Sequence, residues 1–225
     1  MKFAVLGTGM VGRAIAGRLD ELGHEVSIGT RDPEATLART EADGMGNPPY
    51  ADWASEHAGV RLATFADAVA EAEVVVNATN GSASLEVLAL AGADNLAGKV
   101  LLDIANPLDF SAGMPPTLFV KDTDSLGEQI QRSFPQVRVV KTLNTLNANL
   151  MVRPDQLPEG SSVFVSGDDA DAKATVVALL KEFGHADVID LGDLSTARGT
   201  EMLLPVWLRL MSALGTPMFN FKIVR

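Results

Sequence analysis

Near the N-terminus, Gly7-Thr8-Gly9-Met10-Val11-Gly12 has the residue types and spacing to hold a chain of phosphates. In a G-x-G-x-x-G run the first glycine permits a tight turn and the second lets the backbone approach a pyrophosphate. The third lets a helix pack closely on the preceding strand. A helix that starts there points its unpaired N–H groups at the anion. The flanking sequence supplies the context that the run needs. Lys2 to Leu6 reads as a short apolar strand, Val11 to Leu22 as a helix ended by Gly23, and Glu25 to Ile28 as a second strand. Together they predict a Rossmann-type βαβ unit.

The residues after that second strand select among dinucleotides. A site for an unphosphorylated ribose usually places Asp or Glu there. Here the position holds Thr30, followed by Arg31. A carboxylate would repel a 2′-phosphate, whereas a hydroxyl and a guanidinium can bind it. The pair predicts NADPH rather than NADH as cofactor. Asp32 sits two positions late and reads as a helix N-cap, with Pro33 at the first helical position and Glu34 in the first turn.

Strand and helix signals alternate along the rest of the chain. Short strands are predicted at Val60–Ala63, Val74–Ala78, Lys99–Ile104, Val137–Leu143, Ser162–Ser166 and Val188–Leu191, with a last one at Phe219–Val224. Helices are predicted at Ala51–Glu56, Phe65–Ala72, Ala83–Leu90, Ser125–Phe134 and Ala170–Phe183. A long apolar helix, Ser195–Leu214, is expected to be kinked at Pro205. Residues 44–50 cannot continue a helix, and 106–117, with three prolines, reads as a loop. The alternation predicts an α/β fold with a doubly wound, mainly parallel sheet. Met151 to Gly160 marks the expected boundary between an NADP-binding domain, 1–150, and a small C-terminal α/β extension, 151–225.

Composition narrows the partners. With 29 acidic against 18 basic side chains the net charge is −11, which repels nucleic acid and anionic lipid. The chain has no cysteine, so disulfides, thiolate metal sites and cysteine nucleophiles are excluded. No apolar run is long enough to span a bilayer, no leader pattern opens the sequence, and a cytoplasmic location is the default expectation.

Other candidate groups carry less chemistry. His24, His57 and His185 all read as ordinary turn residues. Lys141 ends a strand, and its head is expected at the cleft rim, from where it could protonate a reduced carbonyl or imine. Asn106, at the sheet's carboxyl edge, reads as an Asn-Pro turn, a cofactor contact, or both. Asp168, Asp169 and Asp171 lack the rest of a calcium loop and are expected to cap a helix. The apolar run Met202–Leu214 is expected in the core, with a homodimer face or a lid over a flat ring as the alternatives. The 44–50 loop could form part of a substrate wall.

The N-terminal stretch GTGMVGRAIAGRLDELGHEVSIGTRDP resembles the opening of the F420-dependent NADP oxidoreductase family. Later matches follow in the family's order: Lys141-Thr142-Leu143-Asn144-Thr145-Leu146, Gly167-Asp168-Asp169, Leu191 to Arg198, and Phe219-Asn220-Phe221-Lys222. The resemblance implies direct hydride transfer between NADP(H) and the deazaflavin ring of coenzyme F420, a small-molecule electron acceptor; a homodimer is also possible. It also implies site residues. Gly7, Thr8, Gly9, Met10 and Val11 would face the pyrophosphate, and Thr30 and Arg31 the 2′-phosphate. Asn77, Ala78 and Thr79 would lie beside the ribose, and Asn144 and Leu146 near the reacting rings. The chain departs from the family at Val11, at Asn77-Ala78-Thr79-Asn80, at Asn144, and in a phosphate-binding lysine for which Arg39 could substitute. These departures leave open a flavin, carbonyl or imine acceptor, or a non-catalytic NADPH-binding protein.

Overall fold

The computed structural model describes residues 1–43 and 46–225. β1 (Lys2–Leu6) runs into α1 (Met10–Glu21), β2 (Glu25–Thr30) and α2 (Pro33–Leu37). Asp32 caps α2 by accepting from the Ala35 N–H at 2.9 Å, with Pro33 opening the helix. α3 (Tyr50–Glu56), β3 (Arg61–Thr64), α4 (Phe65–Ala70) and β4 (Val74–Asn77) follow. A 3-10 turn at Gly81–Ala83 leads into α5 (Ser84–Ala91) and α6 (Ala93–Leu96), then β5 (Val100–Asp103).

The predicted 106–117 loop contains a two-residue hairpin, β6 (Leu108–Asp109) and β7 (Thr117–Leu118). α7 (Leu126–Ser133) starts on Ser125 as its N-cap. The Glu128 N–H donates to the Ser125 hydroxyl, which in turn bonds the Glu128 carboxylate at 2.7 Å. Then come β8 (Arg138–Thr142), α8 (Ala148–Val152), β9 (Ser162–Ser166), α9 (Ala170–Phe183), β10 (Asp187–Asp190), α10 (Ala197–Met202) and α11 (Leu204–Leu214).

Eight strands form one sheet in the order β10-β9-β8-β5-β4-β1-β2-β3. Every pairing is parallel except β8 with β9, so residues 151–225 extend the sheet with two strands of reversed direction. The period of two along each strand assigns side chains to two cores. Phe3, Val5, Val74, Val76, Val100 and Leu102 face one side; Ala4, Leu6, Val75 and Leu101 face the other. Both faces are covered, which is why β4 and β5 are buried at every position. Each such Val or Leu contributes about 1.5–3 kcal/mol by leaving water.

Three expectations change at the C-terminus. The long helix is two helices broken at Leu203, because Pro205 has no N–H to continue the ladder; the N–H groups of Val206 and Trp207 both turn to the Leu203 carbonyl. Residues 219–224 form no strand: the tail reaches the sheet through one backbone bond, Ser162 N–H to Phe221 C=O at 2.9 Å, too few for a ladder. The 202–214 run is not core. Within α11 only Leu204 is buried, and Met202, Val206 and Leu214 are exposed. Among the described residues no helix is long and apolar enough to cross a membrane.

Candidate functional site: the carboxyl edge of the parallel strands

The glycine turn joins β1 to α1 with little freedom left. Gly7 has φ +118°, and a Cβ there would lie 2.7 Å from the Ala78 carbonyl oxygen. A Cβ at Gly12 would fall 2.0 Å from the Gly7 oxygen. A Cβ at Gly9 would meet nothing within 4 Å. Thus two glycines are required by the protein's own packing, and the middle one faces open space. No side chain caps α1, so its first N–H groups have no side-chain partner. This turn fits the pyrophosphate of a dinucleotide.

Arg13, on the first turn of α1, was not singled out from the sequence. Its Nε donates to the Thr8 carbonyl and its Nη1 to the Pro48 carbonyl, both at 2.7 Å, and its guanidinium lies over the Tyr50 ring. It ties the glycine turn to the segment before α3. Between them opens a cleft of about 430 Å³ bordered by Thr8, Thr36, Arg39, Thr40 and Tyr50. The Tyr50 hydroxyl is buried with no partner among the described residues, and burial pushes its pKa up to about 12. Among the described residues Arg39 has neither an ion pair nor a hydrogen bond. Of the 44–50 loop, Gly44 and Met45 lie outside the described residues.

The residues predicted for the 2′-phosphate are engaged elsewhere. The Thr30 hydroxyl is buried and shares a 2.9 Å bond with that of Thr36. Arg31 is exposed and pairs with Glu86 of α5 at 2.6 Å. Because β1 lies between β2 and β4, the Arg31–Glu86 pair links the end of β2 to α5 past the end of β1. A bound 2′-phosphate would compete with Glu86 for the guanidinium. Glu86→Gln is therefore expected to tighten NADPH by about two- to fivefold, the worth of an exposed ion pair. Arg31→Ala is expected to remove most of an NADPH-over-NADH preference of at least about tenfold, since a charge-assisted contact contributes about 1.5–3 kcal/mol. Titrating both dinucleotides against both variants measures this; equal affinities in the parent chain would remove the argument.

Beneath the edge lies a buried polar chain. Lys141 is not at the cleft rim. It is 1% exposed, and its Nζ lies 2.8 Å from Asp103 Oδ2 and 2.8 Å from Glu201 Oε1, and also donates to the Ala105 carbonyl. Burial alone would push the ammonium down, but the charges of Asp103 and Glu201 outweigh it and hold Lys141 above its ordinary value. Glu201 also accepts from the N–H groups of Leu126 at 2.8 Å and Gly127 at 3.1 Å, so its carboxylate caps α7. Asp103 accepts from Asn77 Nδ2 at 2.8 Å, and Asn77 bonds Ser84 and Thr79.

The sequence-predicted edge residues meet here by backbone and side chain. Asn77 is fully buried in the chain just described, and Ala78 and Thr79 follow it, partly exposed. Asn106 and Asn144 join the loops after β5 and β8: the Asn144 Nδ2 donates to Asn106 Oδ1 at 3.0 Å, and the Asn106 Nδ2 to the Asn144 carbonyl at 2.9 Å. Asn144 also donates to the Thr200 carbonyl at 3.0 Å. The turn is forced by Leu143, whose φ of +60° is costly for a branched side chain. Leu146 is buried beside it. The histidines lie elsewhere: His24 at Glu182, His57 stacked on Trp53, and His185 on the Met151 carbonyl.

A glycine turn at the head of an uncapped helix, at the carboxyl edge of a parallel sheet, defines a dinucleotide-binding protein of the Rossmann class. The comparisons with known proteins narrow this. Residues 2–107 match the family described as NADP oxidoreductase, coenzyme F420-dependent. A crystal structure from Arthrobacter sp. FB24, described provisionally as an F420-dependent NADP-reductase, superposes with a TM-score of 0.96 at 65% identity, covering 100% of both chains. The F420-dependent NADP reductase of Methanothermobacter marburgensis is 29% identical over 93% of this chain and 92% of its own length. Metalloreductase STEAP3 of Rattus norvegicus is 28% identical over 92% of this chain, which spans only 38% of that protein. The chain belongs to the F420-dependent NADP oxidoreductase family, and it is an NADP-dependent oxidoreductase.

Proposed function

We propose that this enzyme transfers a hydride between NADP(H) and coenzyme F420, in a cytoplasmic setting. Residues 1–150 hold the dinucleotide in this reading, and the C-terminal unit 151–225 covers the far end of the edge. The run Gly7 to Gly12 faces the pyrophosphate. Arg31, released from Glu86, and Arg39 take the 2′-phosphate, with Thr30 shaping the strand end. Ala78 and Thr79 border the ribose, while Asn77 orients them from below. Asn106, Asn144 and Leu146 frame the place where the two rings meet. NADPH, when bound, supplies the hydride.

The observation that carries this reading is the state of Lys141. A carbonyl or imine reductase needs a proton donor at the reacting atom. Lys141 was the basic side chain the sequence offered for that role, and it is sealed below the edge between two carboxylates. Ring-to-ring hydride transfer asks for positioning and exclusion of water instead. The likeness to F420-dependent NADP reductases along nearly the whole chain supports the same acceptor.

The test follows NADPH absorbance with F420, FMN and a panel of carbonyls and imines. Turnover with F420 well above the others is expected. Turnover confined to the other acceptors, or tight NADPH binding with no turnover, would overturn the reading.

A further inference from the structure

Beneath the carboxyl edge, one ammonium ties together the turns that follow three separate strands. The Lys141 Nζ donates to the carbonyl of Ala105, the residue before Asn106. Its partner Asp103 accepts from Asn77 Nδ2 at 2.8 Å and from the Ala105 N–H at 3.3 Å. Asn77 Oδ1 in turn accepts from the Thr79 hydroxyl at 2.7 Å. The second partner, Glu201 at 2.8 Å, sits on α10 beside Thr200, whose carbonyl accepts from Asn144 at 3.0 Å. These contacts close two rings on the segment 141–144. One runs from Lys141 through Glu201 and Thr200 to Asn144; the other runs through Ala105 and Asn106 to the same asparagine. Between the two anchors of that segment lies Leu143 with φ +60°, a conformation that persists only where its surroundings over-determine it.

The network surfaces only at the edge. Asn77, Asp103, Lys141, Asn144, Thr200 and Glu201 are all 5% exposed or less, whereas Thr79 and Asn106 are partly exposed. Stability does not call for charges at such a place. A buried ion pair often contributes no more than well-packed apolar side chains of the same volume, because desolvation offsets the attraction. What the three charges add is direction, since each charge-assisted bond joins one donor to one acceptor within a narrow range of lengths. Apolar packing fixes no such register between α10 and the three turns.

We propose that Lys141 is a positioning residue for hydride transfer, and that α10 takes part through Glu201 and Thr200: the two rings fix the Asn106–Asn144 pair relative to Ala78 and Thr79 across the edge. The inference rests on the proposed placement of NADPH and F420 over these turns. None of the three charged side chains touches either molecule. They act on the separation of the two reacting rings, to which the rate of transfer is steeply sensitive.

The test uses the neutral triple variant K141M/D103N/E201Q, which leaves no buried charge without a partner. Reduction of F420 is followed in single turnovers with the enzyme–NADPH complex in excess, so that the rate constant reports the bound complex and not the amount of folded protein. It is expected to fall by about ten- to a hundredfold, the cost of a misplacement of about 1 Å. Steady-state KM values for NADPH and F420 are expected to stay within about threefold of the parent's, as for an interaction that acts in the transition state. A merely structural triad would lower the fraction of active enzyme and leave both quantities unchanged. Glu201→Asp, which keeps all three charges but shortens the link to Lys141 by one carbon, is expected to lower the rate constant by about fivefold or more. A rate constant within about threefold of the parent's in the triple variant, or in Glu201→Asp if the triple variant does not fold, overturns the positioning role and leaves F420 as the acceptor. A loss carried by KM alone overturns it as well. If the parent does not reduce F420, the proposed function fails, and this role with it.

Discussion

Lys141→Met is expected to cost about 3–5 kcal/mol at neutral pH, because it leaves two carboxylates buried without their cation. Asp103 and Glu201 are 0% and 1% exposed, so neither can turn to water. Each keeps some hydrogen bonds, Asp103 from Asn77 and Glu201 from the head of α7, but those donors do not neutralise two charges. One carboxylate should then take up a proton in the folded state, which raises its folded pKa above its unfolded one. A carboxyl group raised in this way contributes stability that is present below its unfolded pKa and lost as pH rises through the folded value. The variant's deficit should therefore be smaller near pH 4 than near pH 7. Urea denaturation at both values measures it. A deficit independent of pH would mean that water reaches the triad. Adding Asp103→Asn and Glu201→Gln should recover much of the loss, since neutral polar groups of the same shape need no counter-charge.

Gly12→Ala should damage both folding and cofactor binding, whereas Gly9→Ala should damage binding alone. The methyl group at Gly12 would fall 2.0 Å from the Gly7 oxygen and 3.0 Å from its carbonyl carbon. Both are backbone atoms of the turn itself, so the helix must move away from β1. Overpacking of this kind costs about 1–3 kcal/mol, and it carries the α1 N–H groups out of position. At Gly9 the backbone is extended at φ −76° and an added methyl meets no protein atom. Stability should be unchanged there, while NADPH affinity falls by about tenfold or more if phosphate approaches the turn as proposed. Thermal melts with and without NADPH separate the two. Unchanged affinity in the Gly9 variant would contradict the pyrophosphate site.

The dinucleotide half of the molecule was readable because its chemistry is local. Three glycines within six positions, the strand before them and the threonine–arginine pair at the end of β2 are close in sequence and in space. Likewise Ser125 and Glu128 announce α7, and Asp169 with Gly184 brackets α9. What escaped depends on contacts between distant segments. Lys141 reads as a rim residue because its partners are 38 and 60 positions away along the chain, and only the sheet register puts it opposite Asp103. A faint signal existed: Val100-Leu101-Leu102-Asp103 and Val139-Val140-Lys141 are apolar strands that end in opposite charges. Arg13 and Glu86 gave none, since an arginine or glutamate on a helix is ordinarily solvated. The 108–118 hairpin has two-residue strands, too short for alternation to show.

The reversal of direction between β8 and β9 separates the turns of the sheet by purpose. β9 and β10 point their C-terminal ends toward the opposite rim, where Arg138 opens β8 and reaches Asp169. The aspartates that follow those strands serve as local clasps: Asp169 on the start of α9, Asp168 on the Leu194 amide, Asp193 on Ser195. The segments 167–169 and 191–193 thus serve the scaffold and say nothing of what the enzyme reduces. Kinship of substrate has to be sought on the other rim, among the turns that follow β4, β5 and β8.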